Sequence, residues 1–230
     1  MDKKDGTTPR EKVVDLMKGL EINEGQEIRI SVGTQLVLIS PEEEIFALRS
    51  RKRGELQLPG ETAKVEDFKS LINSFPSISF HSEKGKEDDM RLYLQGWTYR
   101  DIEDMLTRLQ ATDSGVLISN AQRGILEELC NERETAVNEQ NKKKLPVLVQ
   151  EAFYEAYILP KPFLYLYDSK GVVSLGIQFG VVVRAEGSEL FDILDTLSGE
   201  GKGSILETYQ IADLKFGSDI AATALRERIE

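Results

Sequence analysis

The sequence predicts an α+β domain, layered α/β/α around a mixed sheet and carrying a helical insertion. Three observations predict it. Apolar residues follow strand spacing from Glu27 to Arg51 and again from Pro162 to Val183. Segments with apolar residues at helical spacing lie between and after these stretches. The resulting order, β-rich, helical, β-rich, helical, suits helices packed on a sheet.

The N-terminal stretch reads as a helix. Thr8 can cap it, Pro9 fits the first turn, and Glu11 lies at capping-box distance from Thr8. Val13, Val14, Leu16, Met17 and Leu20 then form one apolar stripe. The spacing changes to two at Ile28, Ile30 and Val32. The runs Leu36–Ile39 and Ile45–Leu48, with Pro41-Glu42-Glu43-Glu44 between them, predict a hairpin with a buried strand. A short extended piece follows at Gly54–Glu61, ending in a turn.

Residues from about 64 to 114 do not read as part of a simple sheet. The sequence predicts a short helix over Val65–Phe75, a short strand at Ile78-Ser79-Phe80 and a charged loop from Ser82 to Asp89. Thr98 can cap a further helix that runs to about Gln110, with Ile102, Met105, Leu106 and Leu109 on one face. Domain boundaries follow: an N-terminal helix over 1–24 and one domain over 25–230, with an insertion at about 62–114.

Ser119 or Asn120 is the expected cap of the next helix, which runs on toward Lys142. Lys142-Lys143-Lys144 suits a helix C-terminus, where cations offset the dipole, and Pro146 limits continuation. Another short helix is predicted over Val147–Ala156. Pro162–Tyr167 and Val172–Val183 read as strands joined by the turn Asp168-Ser169-Lys170-Gly171. Ser188–Leu197 and Ser218–Arg228 read as helices.

The bulk numbers narrow the function classes. In 230 residues, 40% are apolar and 30% charged, which is ordinary for a soluble globular protein. No run reaches the roughly 18 apolar residues needed to cross a bilayer, so no membrane partner is expected. The polar start, Met1 to Gly6, carries no apolar signal core. A single cysteine, Cys130, rules out an intramolecular disulfide framework, and a cytoplasmic protein is expected. The net charge of −11 disfavours general nucleic-acid binding but leaves room for a small anion beside a cation.

Three separated pieces carry a family resemblance. The first is Val32–Ile39 with Glu44–Arg51, followed by Leu58-Pro59-Gly60-Glu61. The second is the helical stretch Ala121-Gln122-Arg123-Gly124-Ile125-Leu126-Glu127-Glu128-Leu129. The third is the glycine-punctuated run Val173–Val183, with Gly176 and Gly180. In this order they resemble the Nudix hydrolase superfamily, whose box ends R-E-U-x-E-E-x-G-U with U aliphatic, and whose upstream motif is L-P-G-G. The resemblance implies a Nudix-like fold that hydrolyses a nucleoside diphosphate derivative. It also implies Mg²⁺ or Mn²⁺, which would offset phosphate charge and lower the pKa of a bound water. Hard cations take oxygen ligands. The resemblance assigns Glu127 and Glu128 to the metal and Arg123 to orienting a carboxylate. It points to Glu189, and Glu186 beside it, for a further ligand. Gly60 and the basic cluster Arg49, Arg51, Lys52 and Arg53 would hold the small phosphorylated ligand. Members of this family are often dimers, so a homodimer served by the N-terminal helix fits the resemblance.

The chain departs from the pattern at defined places. Glu61 replaces the second glycine of L-P-G-G, Gly124 and Gly115 stand where the box has glutamates, and Cys130 where it ends in glycine. About 60 residues separate the L-P-G piece from the helix. The leading reading is a metal-dependent hydrolase; the alternative is a non-catalytic module that senses a ligand or binds a protein, and a third is a small α+β interaction protein with no Nudix ancestry. Two adjacent glutamates on an amphipathic helix also suit a solvated charged face.

Other residues carry less chemistry. His81 is the only histidine, so a multi-imidazole zinc site is excluded and a surface role is expected. Cys130 has no second thiol and is expected to pack near the core. Trp97 is expected in the core of the insertion. Phe153, Tyr154, Tyr157, Phe163, Tyr165 and Tyr167 are expected to be mainly core. Gly199-Glu200-Gly201-Lys202-Gly203 lacks phosphate-loop spacing and reads as a loop.

Overall fold

The computed structural model describes residues 10–49, 54–130, 139–169, 171–185, 188–199 and 203–227. The chain is mixed α+β, and its sheet is antiparallel and not closed. In chain order the elements are α1 (Arg10–Gly19), β1 (Ile28–Ile39), β2 (Ile45–Arg49), β3 (Leu56–Gln57), β4 (Gly60–Thr62), α2 (Lys69–Asn73), β5 (Ser79–Ser82), β6 (Arg91–Gln95), α3 (Tyr99–Gln110), α4 (Ser114–Cys130), α5 (Glu139–Ala152), β7 (Tyr157–Ile158), β8 (Phe163–Ser169), β9 (Val172–Arg184), α6 (Ser188–Gly199), β10 (Gly203–Leu206) and α7 (Ser218–Arg226). None of the described helices is long and apolar enough to cross a membrane.

The chain divides into two compact units. The first comprises 1–33, 62–116 and 160–179. Here the start of β1 pairs with β6 from Ile28↔Leu94 to Ser31↔Arg91, and β6 pairs with β5. Arg91–Gln95 was not foreseen as a strand, although Leu92 and Leu94 are buried and alternate with half-exposed Arg91 and Tyr93. β8 and β9 form the expected hairpin, from Phe163↔Gln178 to Ser169↔Val172. Gly171 takes a positive φ in its turn, and its N–H donates to Asp168 Oδ1.

Local chemistry fixes α3. Thr98 and Asp101 form a reciprocal capping box. Ile102, Met105, Leu106 and Leu109 are buried as the periodicity predicts. Trp97 is almost fully buried and spends its one donor on the Gln26 carbonyl, 2.6 Å away. On α1 the apolar stripe divides. Val13, Val14 and Met17 are buried, whereas Leu16 and Leu20 are exposed. The expected cap at Thr8 and Pro9 lies outside the described residues.

The second unit comprises 34–61, 117–159 and 180–230. The end of β1 turns into β2 at Ile39↔Ile45, and β2 pairs with β3 and β10. β10 begins at Gly203, inside what reads as a glycine-rich loop. β7 pairs with the end of β9. Leu36, Leu38 and Phe46 share a core with Ala121, Ile125 and Leu129 of α4 and with Val181 and Val183 of β9. Leu190, Phe191 and Leu194 of α6 join it. Packing at Gly180 is close: a Cβ would lie 2.6 Å from Leu159 Cδ1 and 2.8 Å from Ile220 Cγ2, and those side chains would have to shift.

Two helix boundaries differ from expectation. α4 starts at Ser114, not at Ser119 or Asn120, because Asp113 supplies the cap: its Oδ1 accepts from the N–H groups of Gly115 and Val116. Lys142–Lys144 do not end a helix, and Pro146 does not stop one. All four lie inside α5. The reason is packing. Leu145, Val149 and Phe153 recur at fourfold spacing and are buried in the core cluster, while Pro146 is exposed. Burial of those three side chains is worth about 1.5–3 kcal/mol each, enough to offset the roughly 3 kcal/mol that an interior proline costs a helix. Among the aromatics, Phe153 and Phe163 are core as expected, but Tyr154 is 90% exposed and Tyr167 is also exposed.

Candidate functional site

The site is built where β4, the end of β1 and α4 meet inside the second unit. Leu36 N–H donates to the Pro59 carbonyl at 2.8 Å, which lays Leu58-Pro59-Gly60-Glu61 along β1. Gly60 suits this approach, since a Cβ would come within a tight 3.1 Å of the Thr34 carbonyl oxygen. Asn120, inside α4, locks the helix to the same pair of strands. Its Nδ2 donates to Thr34 Oγ1 at 2.9 Å and to the Glu61 carbonyl at 3.2 Å. Asn120 and Thr34 are both buried, so these bonds satisfy polar groups that have no water to turn to.

Arg123 donates from Nη2 to Asn120 Oδ1. The guanidinium therefore steadies the amide that ties α4 to the strands. One helical turn after Asn120 comes Gly124, which is buried. A Cβ on Gly124 would stand 2.5 Å from Glu61 Cβ and 3.3 Å from Glu61 Cγ. The L-P-G-E segment and α4 thus touch directly, although about 60 residues separate them in sequence. Asn120, Gly124 and Glu127 fall on one face of the helix by their spacing. Glu127, beyond the contact, is exposed; Glu128 is half-buried and engaged in an interaction of its own.

The remaining residues named from sequence fall elsewhere. Arg49 is exposed, and its Nη1 donates to the Gly54 carbonyl at 2.6 Å. Arg51, Lys52 and Arg53 lie outside the described residues, as does Glu186. Glu189 opens α6 and pairs with Lys144 Nζ at 2.7 Å. It lines a cavity of about 270 Å³ together with Leu148, Ala152, Arg184 and Leu190, and neither Glu127 nor Glu128 lines that cavity. His81 is a surface residue bonded to Ser79 Oγ at 2.9 Å.

A divalent cation takes about six oxygen ligands, several of them carboxylates when no phosphate is bound. Among the described residues no group of three or more His, Cys, Asp and Glu side chains is arranged to hold a metal ion. The described side chains alone therefore do not supply a metal cage. The sequence marks Asn120 only as an expected cap, and it carries no sign of the Glu61–Gly124 contact.

No family model matches the chain, and no curated protein is similar to it.

Proposed function

We propose that the chain is a non-catalytic binding module on a Nudix-like frame. The Nudix-like part of the reading is supported by neighbours: Glu61, which follows Leu58-Pro59-Gly60, lies against the helix that carries Arg123, Glu127 and Glu128. The non-catalytic part rests on one observation. The position where the box has a glutamate is Gly124, and Glu61 carbon atoms fill the space that any side chain there would need. A side chain at 124 cannot reach a metal or a water from that seam.

The test is an incubation with a panel of nucleoside diphosphate derivatives and Mg²⁺ or Mn²⁺. No turnover above the uncatalysed background is expected. Turnover that is lost in both Glu127→Gln and Glu128→Gln would overturn the reading.

One observation favours the hydrolase instead. Glu61 stands in the space that residue 124 leaves vacant, so a carboxylate missing from the helix is present on the strand beside it. In that reading the substrate is a nucleoside diphosphate derivative, whose phosphate oxygens would supply the ligands for Mg²⁺ or Mn²⁺ that the described side chains do not supply by themselves. Calorimetric titration with Mn²⁺ separates the two. Binding that Glu61→Gln weakens at least tenfold supports the hydrolase, and no heat of binding supports the module.

A further inference from the structure

We infer that the cavity between α5, α6 and the end of β9 is a docking site for a basic peptide, with one lysine or arginine side chain entering it. The inference deepens the module reading above by naming its site and partner class.

Size comes first. At about 270 Å³ the cavity falls just below the roughly 300–1,000 Å³ typical of small-molecule sites, and it suits a single long side chain. Its floor is apolar: Leu148, Ala152, Ala185 and Leu190. Its exposed lining residues, the rim, are Glu151, Tyr154, Glu155 and Glu189, and half-buried Arg184 also lines it. Lysine and arginine bury an aliphatic stem while holding the charge at a polar edge, so floor and rim together match that shape of side chain.

The charge balance points the same way. Arg184 Nη1 lies 3.4 Å from Glu43 Oε1, while its Nη2 is buried without a hydrogen-bond partner, and Lys144 Nζ lies 2.7 Å from Glu189 Oε1. The Lys144–Glu189 pair also shows that an ammonium group settles on this rim. Glu151 and Glu155 are exposed, and no ion pair among the described residues engages them. Two carboxylates at the mouth are left to attract an incoming cation.

The occupant is a peptide and not a free amine because exposed apolar side chains stand at the cavity: Tyr154 in its lining, and Val147 one helical turn from its Glu151. Val147, Glu151 and Tyr154 follow one another at helical spacing, and Val147 is 55% and Tyr154 90% exposed. A small amine would leave both in water. A peptide backbone with apolar neighbours covers them, and its cation can also lie over the Tyr154 ring.

The experiment is fluorescence polarisation with a short fluorescein-labelled Lys/Leu peptide, run with the full chain. Saturable binding is expected. It should weaken about tenfold in Glu151→Gln/Glu155→Gln, in line with the loss of two exposed charge pairs, and several-fold in Tyr154→Ala. The control Glu66→Gln/Glu103→Gln removes the same net charge from exposed positions outside the cavity and should leave binding unchanged. All variants alter exposed side chains, and far-UV circular dichroism checks that each is folded. No saturable binding, equal loss in the control, or full competition by spermine at matched charge would overturn the inference. Failure here is distinct from failure of the module reading. Peptide binding together with nucleotide turnover sinks only the non-catalytic claim, whereas neither binding nor turnover sinks only the docking site.

Discussion

Gly124 and Glu61, read from the sequence as two separate departures from the pattern it resembles, meet at one contact. Each is visible in the sequence only on its own. Their relation is not visible, because only the fold brings them together across about 60 residues. Neither backbone can easily give way. Pro59 is bonded to Leu36, and the Glu61 carbonyl to Asn120. Gly124→Ala is therefore expected to cost about 1–3 kcal/mol, the usual range for overpacking, read as a lower urea midpoint at unchanged slope. Glu61→Gly opens the space, so the double variant should recover much of the loss, with a coupling of about 1 kcal/mol or more. Strict additivity of the two single changes would show that the seam is not what requires glycine. A second residue-scale outcome concerns Glu87, whose Oε1 accepts from the Gly85 N–H at 2.9 Å. That bond holds its carboxyl below the ordinary carboxylate range. A folded-state value below the unfolded one means the bond is intact above the ordinary carboxylate pKa and is lost as pH falls through the depressed value. The Gly85 amide resonance should thus move only at pH values below the ordinary glutamate range, and movement centred at or above that range would contradict it.

Helix α5 shows how tertiary packing overrides a local stop signal. Pro146 and the preceding lysines are strong reasons to end a helix, and a reading from local propensity ends it there. The continuing repeat of Leu145, Val149 and Phe153 was present in the same letters, but its worth depends on a core that the sequence does not display. The same limit applies to β10, whose pairing with β2 gives strand geometry to a segment next to several glycines. Elements with strong internal signals were legible: the β1–β2 and β8–β9 hairpins by period and turn, and α3 by its capping box and apolar face. Because Pro146 is exposed and is tolerated at a cost, Pro146→Ala is expected to stabilise the chain. Restoring a helical hydrogen bond and relieving the ring clash is worth up to about 3 kcal/mol, reduced by roughly 0.4–1 kcal/mol for the added freedom of the unfolded chain. A thermal midpoint raised by several degrees is the expected result. An unchanged or lower midpoint would mean that the proline is not a cost to α5.

For the molecule as a whole, the sequence reveals the sum of the charges and the fold reveals their arrangement. A net charge of −11 says that anions are repelled and cations attracted, without saying where. The pairs Lys144–Glu189 and Arg184–Glu43 join residues 45 and 141 positions apart, and they decide that Glu151 and Glu155 remain to face a partner. Sequence thus bounds the partner class, while the cavity selects the contact. These two levels differ in their response to salt. Attraction by the whole chain acts over a Debye length, which shrinks from about 30 Å at 0.01 M to about 8 Å at 0.15 M salt. The association rate of the Lys/Leu peptide, measured by stopped flow, should therefore fall about tenfold across that range, within the span known for electrostatic steering. Glu66→Gln/Glu103→Gln should soften that slope slightly and leave the dissociation rate alone, since a distant charge steers but does not hold. Glu151→Gln/Glu155→Gln should chiefly raise the dissociation rate. An association rate indifferent to salt, or a dissociation rate raised equally by both double variants, would mean that the acidic surface as a whole binds the peptide and that the cavity does not select it.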